Sequence, residues 1–170
     1  TMGLGWDTRQ AAPQGGFFKR LLSSGDSGGN FDLDGFALLL GADGKLVSDK
    51  DVIYFGKLHG GDGSIRHSGD NRTGEGGGDD EAISLDLPQV PERYKRILFG
   101  VSIYKGSKKN QHFGLVANAF VRAVDGDGKE MARFNLSKSS EYDGMTSMLM
   151  GELVRSGADW DFRAVGEALG

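Results

Sequence analysis

Residues 115–136 read LVANAFVRAVDGDGKEMARFNL. Two runs rich in apolar and β-branched residues flank Asp125-Gly126-Asp127-Gly128, and Asp-Gly between such runs is a strong short-range signal for a β-hairpin. The spacing predicts strands over 115–124 and 129–136, with Asp125 and Asp127 as turn residues rather than ligands. The same signature continues outward in both directions. Upstream, 97–104 (ILFGVSIY) reads as a strand, and 82–87 alternates Ile83, Leu85 and Leu87 against Ser84 and Asp86. Residues 35–40 (GFALLL) read as a buried strand, 42–45 (ADGK) as a turn and 51–55 (DVIYF) as a further strand. Downstream, 145–154 and 160–165 are assigned as strands around a turn at 156–159. A short helical turn is expected over 90–96, with Pro91 near its start. Seven or eight short strands separated by Gly/Asp turns predict a mainly β chain, an antiparallel β-sandwich with a few short helical turns. Trp6, Phe120, Trp160 and Phe162 are assigned to its core. In the connection from Trp6 to Phe31, residues 17–22 supply one amphipathic turn.

Composition narrows the class. Of 170 residues 29 are glycine, more than twice the usual share of about 7%. With only 3 prolines and no cysteine, the chain is neither collagen-like nor a disulfide-stapled scaffold. The absence of thiols also removes a cysteine nucleophile, a thiolate metal ligand and a redox disulfide. No apolar stretch approaches the roughly 20 residues that cross a bilayer, and the start has no secretory-signal layout. A net charge of −4 argues against a nucleic-acid partner. The length suits one domain, assigned to residues 3–170.

The charge is concentrated. Residues 62–81 read DGSIRHSGDNRTGEGGGDDE, with six carboxylates (Asp62, Asp70, Glu75, Asp79, Asp80, Glu81) against two arginines. The segment therefore carries −4, as much as the whole chain. Neither a helix face nor a strand alternation runs through it, so it reads as one long glycine-rich acidic loop. Clustered carboxylates repel one another unless a cation neutralises them. Calcium takes 6–8 oxygen ligands from carboxylates, carbonyls and water, and glycines let a backbone curl around it. Asp32 and Asp34, two residues apart at the mouth of a strand, point to one side in extended geometry and form a second edge for such a site.

Other motifs fail on their own terms. Gly69 to Gly74 has phosphate-loop spacing, but Glu75-Gly76 follows where Lys-Ser/Thr belongs. An EF-hand needs an oxygen ligand at position 36, which is Phe36. His59, His67 and His112 lack zinc spacing, and there is no Gly-x-Ser-x-Gly elbow. Two further readings use the same acids. In one, they hold magnesium in a hydrolase or phosphoryl-transfer enzyme. In the other, calcium bridges the domain to anionic lipid, assisted by Lys105, Lys108 and Lys109 if their loop lies near the metal.

The elements Gly3-Leu4-Gly5-Trp6-Asp7, Phe31-Asp32-Leu33-Asp34, GDNRTGEGGGDDE (69–81), FGLVANAFVR (113–122), GELVR (151–155) and WDFRAVG (160–166) together resemble the TerD family of bacterial tellurium-resistance and general-stress proteins. The resemblance covers almost the whole chain. It implies a calcium-binding β-sandwich of the cytoplasm, peripheral at the inner face of the membrane, that is not an enzyme and works with other Ter-type proteins, membrane-bound ones among them. It assigns cation binding to Asp32, Asp34, Asp70, Asn71, Glu75, Asp79, Asp80 and Glu81, with Asp62 added from the loop composition. Two Ca2+ ions are expected, the second site being weakened because Gly77 stands where the family carries an acid. Gly35 replaces a small residue such as alanine or serine. The family also implies strand sequence before Gly3, so an N-terminal edge strand is expected to be absent here.

Overall fold

A computed structural model describes residues 1–6, 31–70, 79–116, 119–136 and 140–169. Among these, eleven strands form two sheets. They are β1 (Met2–Trp6), β2 (Leu33–Leu40), β3 (Val52–Ile53), β4 (His59–Gly60), β5 (Ile65–His67) and β6 (Glu81–Leu85), followed by β7 (Arg96–Ile103), β8 (Ala119–Val124), β9 (Glu130–Leu136), β10 (Ser147–Ser156) and β11 (Asp159–Leu169). One sheet has the order β4-β5-β6-β1-β8-β9 and the other β11-β10-β7-β2-β3. Every strand pairing among the described residues is antiparallel. The core lies between the sheets: Leu33, Leu39, Ile53, Ile97 and Met148 from one meet Leu4, Ile65, Ile83 and Val121 from the other. Burying each such aliphatic side chain contributes about 1.5–3 kcal/mol.

The hairpin at 125–128 forms as its sequence dictates. Asp125 Oδ1 accepts from the N–H groups of Asp127 and Lys129, at 3.0 and 2.9 Å, and Gly128 adopts φ +81°. Gly100 interrupts the apolar run of β7 because the ring of Phe36, opposite it on β2, fills the space a Cβ would need. In β1 the alternation is Met2, Leu4 and Trp6 inward and glycine between them. At Gly3 the Asp79 carboxylate occupies the Cβ position.

Several expectations are corrected. The segment 62–81 is not one uninterrupted loop: Gly61–Gly63 forms a 3-10 turn and Ile65–His67 a strand. Ile65 and His67 are buried and Arg66 is exposed, so a period of two was present, with a histidine at an inward position. The strand expected at 51–55 shrinks to Val52–Ile53, because Tyr54 turns back to bridge Lys57. The helical turn expected at 90–96 is reduced to one hydrogen-bonded turn, Tyr94 N–H donating to the Pro91 carbonyl at 3.1 Å. A 3-10 turn lies earlier, at Leu87–Gln89, and Val90 is extended, as the residue before a proline prefers. Phe120 lies partly exposed under the Arg133 guanidinium, 4.2 Å from its ring centroid, rather than in the core, and Trp160 and Phe162 pack at the core's margin. Residues 17–22 fall outside the described residues.

Candidate metal centre

Asp32 precedes β2 and Asp34 is its second residue. The backbone there is pinned to the next strand, with Tyr104 N–H donating to the Asp32 carbonyl at 2.9 Å and Leu33 in register with Ile103. Asp70 arrives from the other sheet, three residues after the end of β5. One carboxylate oxygen from each of Asp32, Asp34 and Asp70 lies within 4.8 Å of the other two. Two oxygens bound to the same calcium at 2.3–2.6 Å can be at most about 5.2 Å apart, so the spacing fits a single hard cation. Asp34 is buried, Asp32 partly covered and Asp70 exposed, so the group opens to solvent on one side. Phe55 and Tyr104 complete the walls of this small pocket.

The electrostatics are strained without a counter-charge. Burial pushes the Asp34 carboxyl from 3.8 up to about 7, and Glu81, Asp32 and Asp70 push it the same way. A divalent ion would relieve all four effects at once.

Behind the cluster a polar clamp joins the two sheets. Gly35 N–H donates to Glu81 Oε2 at 2.9 Å, and the Gly35 carbonyl lies 3.0 Å from His67 Nε2. His67 Nδ1 accepts from Gly69 N–H at 2.9 Å, which assigns the ring proton to Nε2 and makes His67 the donor to Gly35. Glu81 Oε2 is 3.5 Å from the same nitrogen, with both side chains buried. Burial alone would lower the His67 pKa. The Glu81 carboxylate and the Gly35 carbonyl outweigh it and hold it above the ordinary imidazole value. The clamp fixes the strand carrying Asp34 and the start of the turn carrying Asp70.

The remaining acids named from sequence are placed differently. Asp79 makes a bidentate pair with Arg122, at 2.8 and 3.0 Å, across Gly3. Asp80 Oδ2 accepts from Trp6 N–H at 2.8 Å. Glu81 belongs to the clamp. Asp62 meets Arg93 at 2.7 Å, a hydrogen bond that holds its carboxyl below the ordinary range, in a separate open depression with Lys57 and His59. Asn71 and Glu75 lie outside the described residues. The basic turn does lie beside the cluster: Lys105 and Lys109 place their ammonium groups 4.9 and 5.6 Å from the Tyr104 ring centroid. Sequence reasoning missed Phe55, Tyr104 and the role of His67. Only the neighbourhood of Asp32 in the fold marks the two aromatics, and no single-sequence signal sets them apart.

The chain matches the TerD domain over residues 1–170. It belongs to the TerD family. It is 44% identical over 167 residues to the stress response protein SCP2 of Bacillus subtilis (strain 168), covering 98% of this chain and 80% of that protein. To the tellurium resistance protein TerD of Serratia marcescens it is 41% identical over 167 residues, covering 98% of this chain and 78% of that protein. Its fold is similar to the crystal structure of a homologue of a telluride resistance protein (TerD) from Streptomyces coelicolor A3(2), with a TM-score of 0.69 at 25% identity, covering 99% of this chain and 88% of that one. The TerD-family chain is thus related to tellurium-resistance and general stress proteins. Among its described residues no helix is long and apolar enough to cross a membrane.

Proposed function

We propose that this TerD-family chain is a calcium-dependent binding module of the bacterial stress response rather than an enzyme. Asp32, Asp34 and Asp70 hold the ion, and loading it orders the acidic turn into a surface for a partner. The observation that carries the reading is the convergence of three carboxylates from two sheets within 4.8 Å, one of them buried. Within this reading the module works in the cytoplasm with other Ter-type proteins, including membrane-bound ones. Asn71 and Glu75, the other ligands expected from the sequence, lie outside the described residues.

The relatives are named for resistance and stress response. With no cysteine the chain has no thiol with which to reduce tellurite, so within this reading its part in resistance is indirect. Calorimetric titration with Ca2+ and then Mg2+ tests the reading. Saturable calcium binding that is lost in Asp34→Asn is expected, and the absence of calcium heat would refute it. Metal-dependent phosphodiester turnover lost in the same variant would replace it with the hydrolase alternative.

A further inference from the structure

The mouth of the acidic pocket is lined by features that its acids do not explain. Phe55 and Tyr104 wall the pocket and meet edge to face, with ring centroids 6.0 Å apart. Tyr54 extends the row by a second edge contact to Phe55 at 5.3 Å. All three rings remain between 36% and 39% exposed, large apolar side chains left at one end of a sandwich that has a well-filled core. Directly behind Tyr104 the chain enters α1 (Gly106–Lys109), and the exposed Lys105, Lys108 and Lys109 crowd this one turn. Two of their ammonium groups rest over the Tyr104 ring.

We propose that this end of the sandwich docks on an anionic lipid surface, with the bound cation as the bridge. The inference rests on the calcium reading above and adds the identity of the partner. One converging oxygen from each of three carboxylates leaves at least three of the 6–8 oxygen positions that calcium takes, and phosphate oxygens of lipid headgroups suit the positions that face solvent. Aromatic rings with one apolar and one polar end favour the membrane–water boundary, where Tyr54 and Tyr104 would lie, with the wholly apolar Phe55 ring between them. Lysines beside them attract anionic headgroups. The acids supply the control. Without the ion, the carboxylates of Asp32, Asp34 and Asp70 offset the three lysines and leave the patch little net charge with which to attract the lipid. With it, two positive charges are added at the centre of the patch. Charge complementarity is therefore strongest in the loaded state.

Co-sedimentation with vesicles of phosphatidylglycerol mixed with phosphatidylcholine tests the proposal, with calorimetric calcium binding measured on the same preparations. The expected result is pelleting in calcium, none in EGTA, and none with phosphatidylcholine alone. Changing Lys105, Lys108 and Lys109 to Gln should lower vesicle partitioning by about five-fold per lysine while leaving calcium binding intact. Phe55→Ser should weaken partitioning further. Calcium binding without pelleting on any vesicle would overturn the docking proposal and leave the cation site standing. Equal pelleting in EGTA, or an unaffected triple-lysine variant, would also overturn it. Loss of calcium binding itself would instead refute the reading beneath it.

Discussion

Asp34→Asn should make the metal-free protein more stable and the calcium-loaded protein less so. Unfolded, this carboxyl releases its proton near its ordinary 3.8; folded, it does so near 7. Between those values the unfolded chain has already ionised and the native one has not. Native stability therefore falls as pH rises from about 4 to about 7, and levels off above. At about 1.4 kcal/mol for each pH unit, the full gap corresponds to roughly 4 kcal/mol. The residue is only 5% exposed, so solvent screening removes little, but relaxation around the charge halves such figures readily. A gain of about 2 kcal/mol is expected from an uncharged isostere at pH 8 in EDTA. For a domain of this size that is roughly 4–8 °C in melting midpoint. In calcium at 100 times its dissociation constant, the native protein recovers about 2.7 kcal/mol that the variant cannot. The assay is a set of melting scans at pH 5 and pH 8, in chelator and in calcium. The reasoning fails if the variant is no more stable than the parent at pH 8 in chelator. It fails equally if their difference does not shrink toward pH 5.

Asp79→Asn should leave calcium affinity within a few fold, because Arg122 already engages that carboxylate, whereas Asp70→Asn should reduce affinity at least ten-fold; calorimetry on both variants separates the two. Gly3→Ala should destabilise by about 1–3 kcal/mol, since the new methyl displaces the Asp79 carboxylate from Arg122. Gly35→Ala, by contrast, should be neutral or gain up to about 1 kcal/mol in denaturant melts, its nearest neighbour being Glu81 Oε2 at 3.6 Å. His67→Leu removes the donor to the Gly35 carbonyl and the acceptor of the Gly69 N–H. It should cost about 2–4 kcal/mol in urea unfolding and should weaken calcium binding through Asp70.

The sandwich was legible because its longer strands advertise themselves. The β8–β9 hairpin has Asp-Gly turn chemistry between apolar runs, and β7 carries a β-branched or aromatic residue at every second position from Ile97 to Ile103. The short strands were not, for a physical reason. A strand as brief as Ile65–His67 offers a single alternation, and here the second inward residue is a histidine that bonds across to Gly35 of the other sheet. The site divides along the same line. Asp32 and Asp34 could be paired from their spacing, since a strand repeats every two residues. That Asp70 joins them depends on how two sheets stack, which no local pattern records. Asp79, Asp80 and Glu81 look like cage residues when counted as charge. In the fold their oxygens meet Arg122, the Trp6 amide, and the Gly35 amide beside His67.

Because Asp34 is rooted in one leaf of the sandwich and Asp70 follows a strand of the other, anything seated between them acts as a bolt through both. Prising the leaves apart would break the bolt's coordination and the Gly35 clamp behind it in the same motion. Occupancy at the rim is thereby coupled to the resilience of the interior. Metal depletion would be felt as a shortened lifetime of the native state against proteases, well before any change in its average shape.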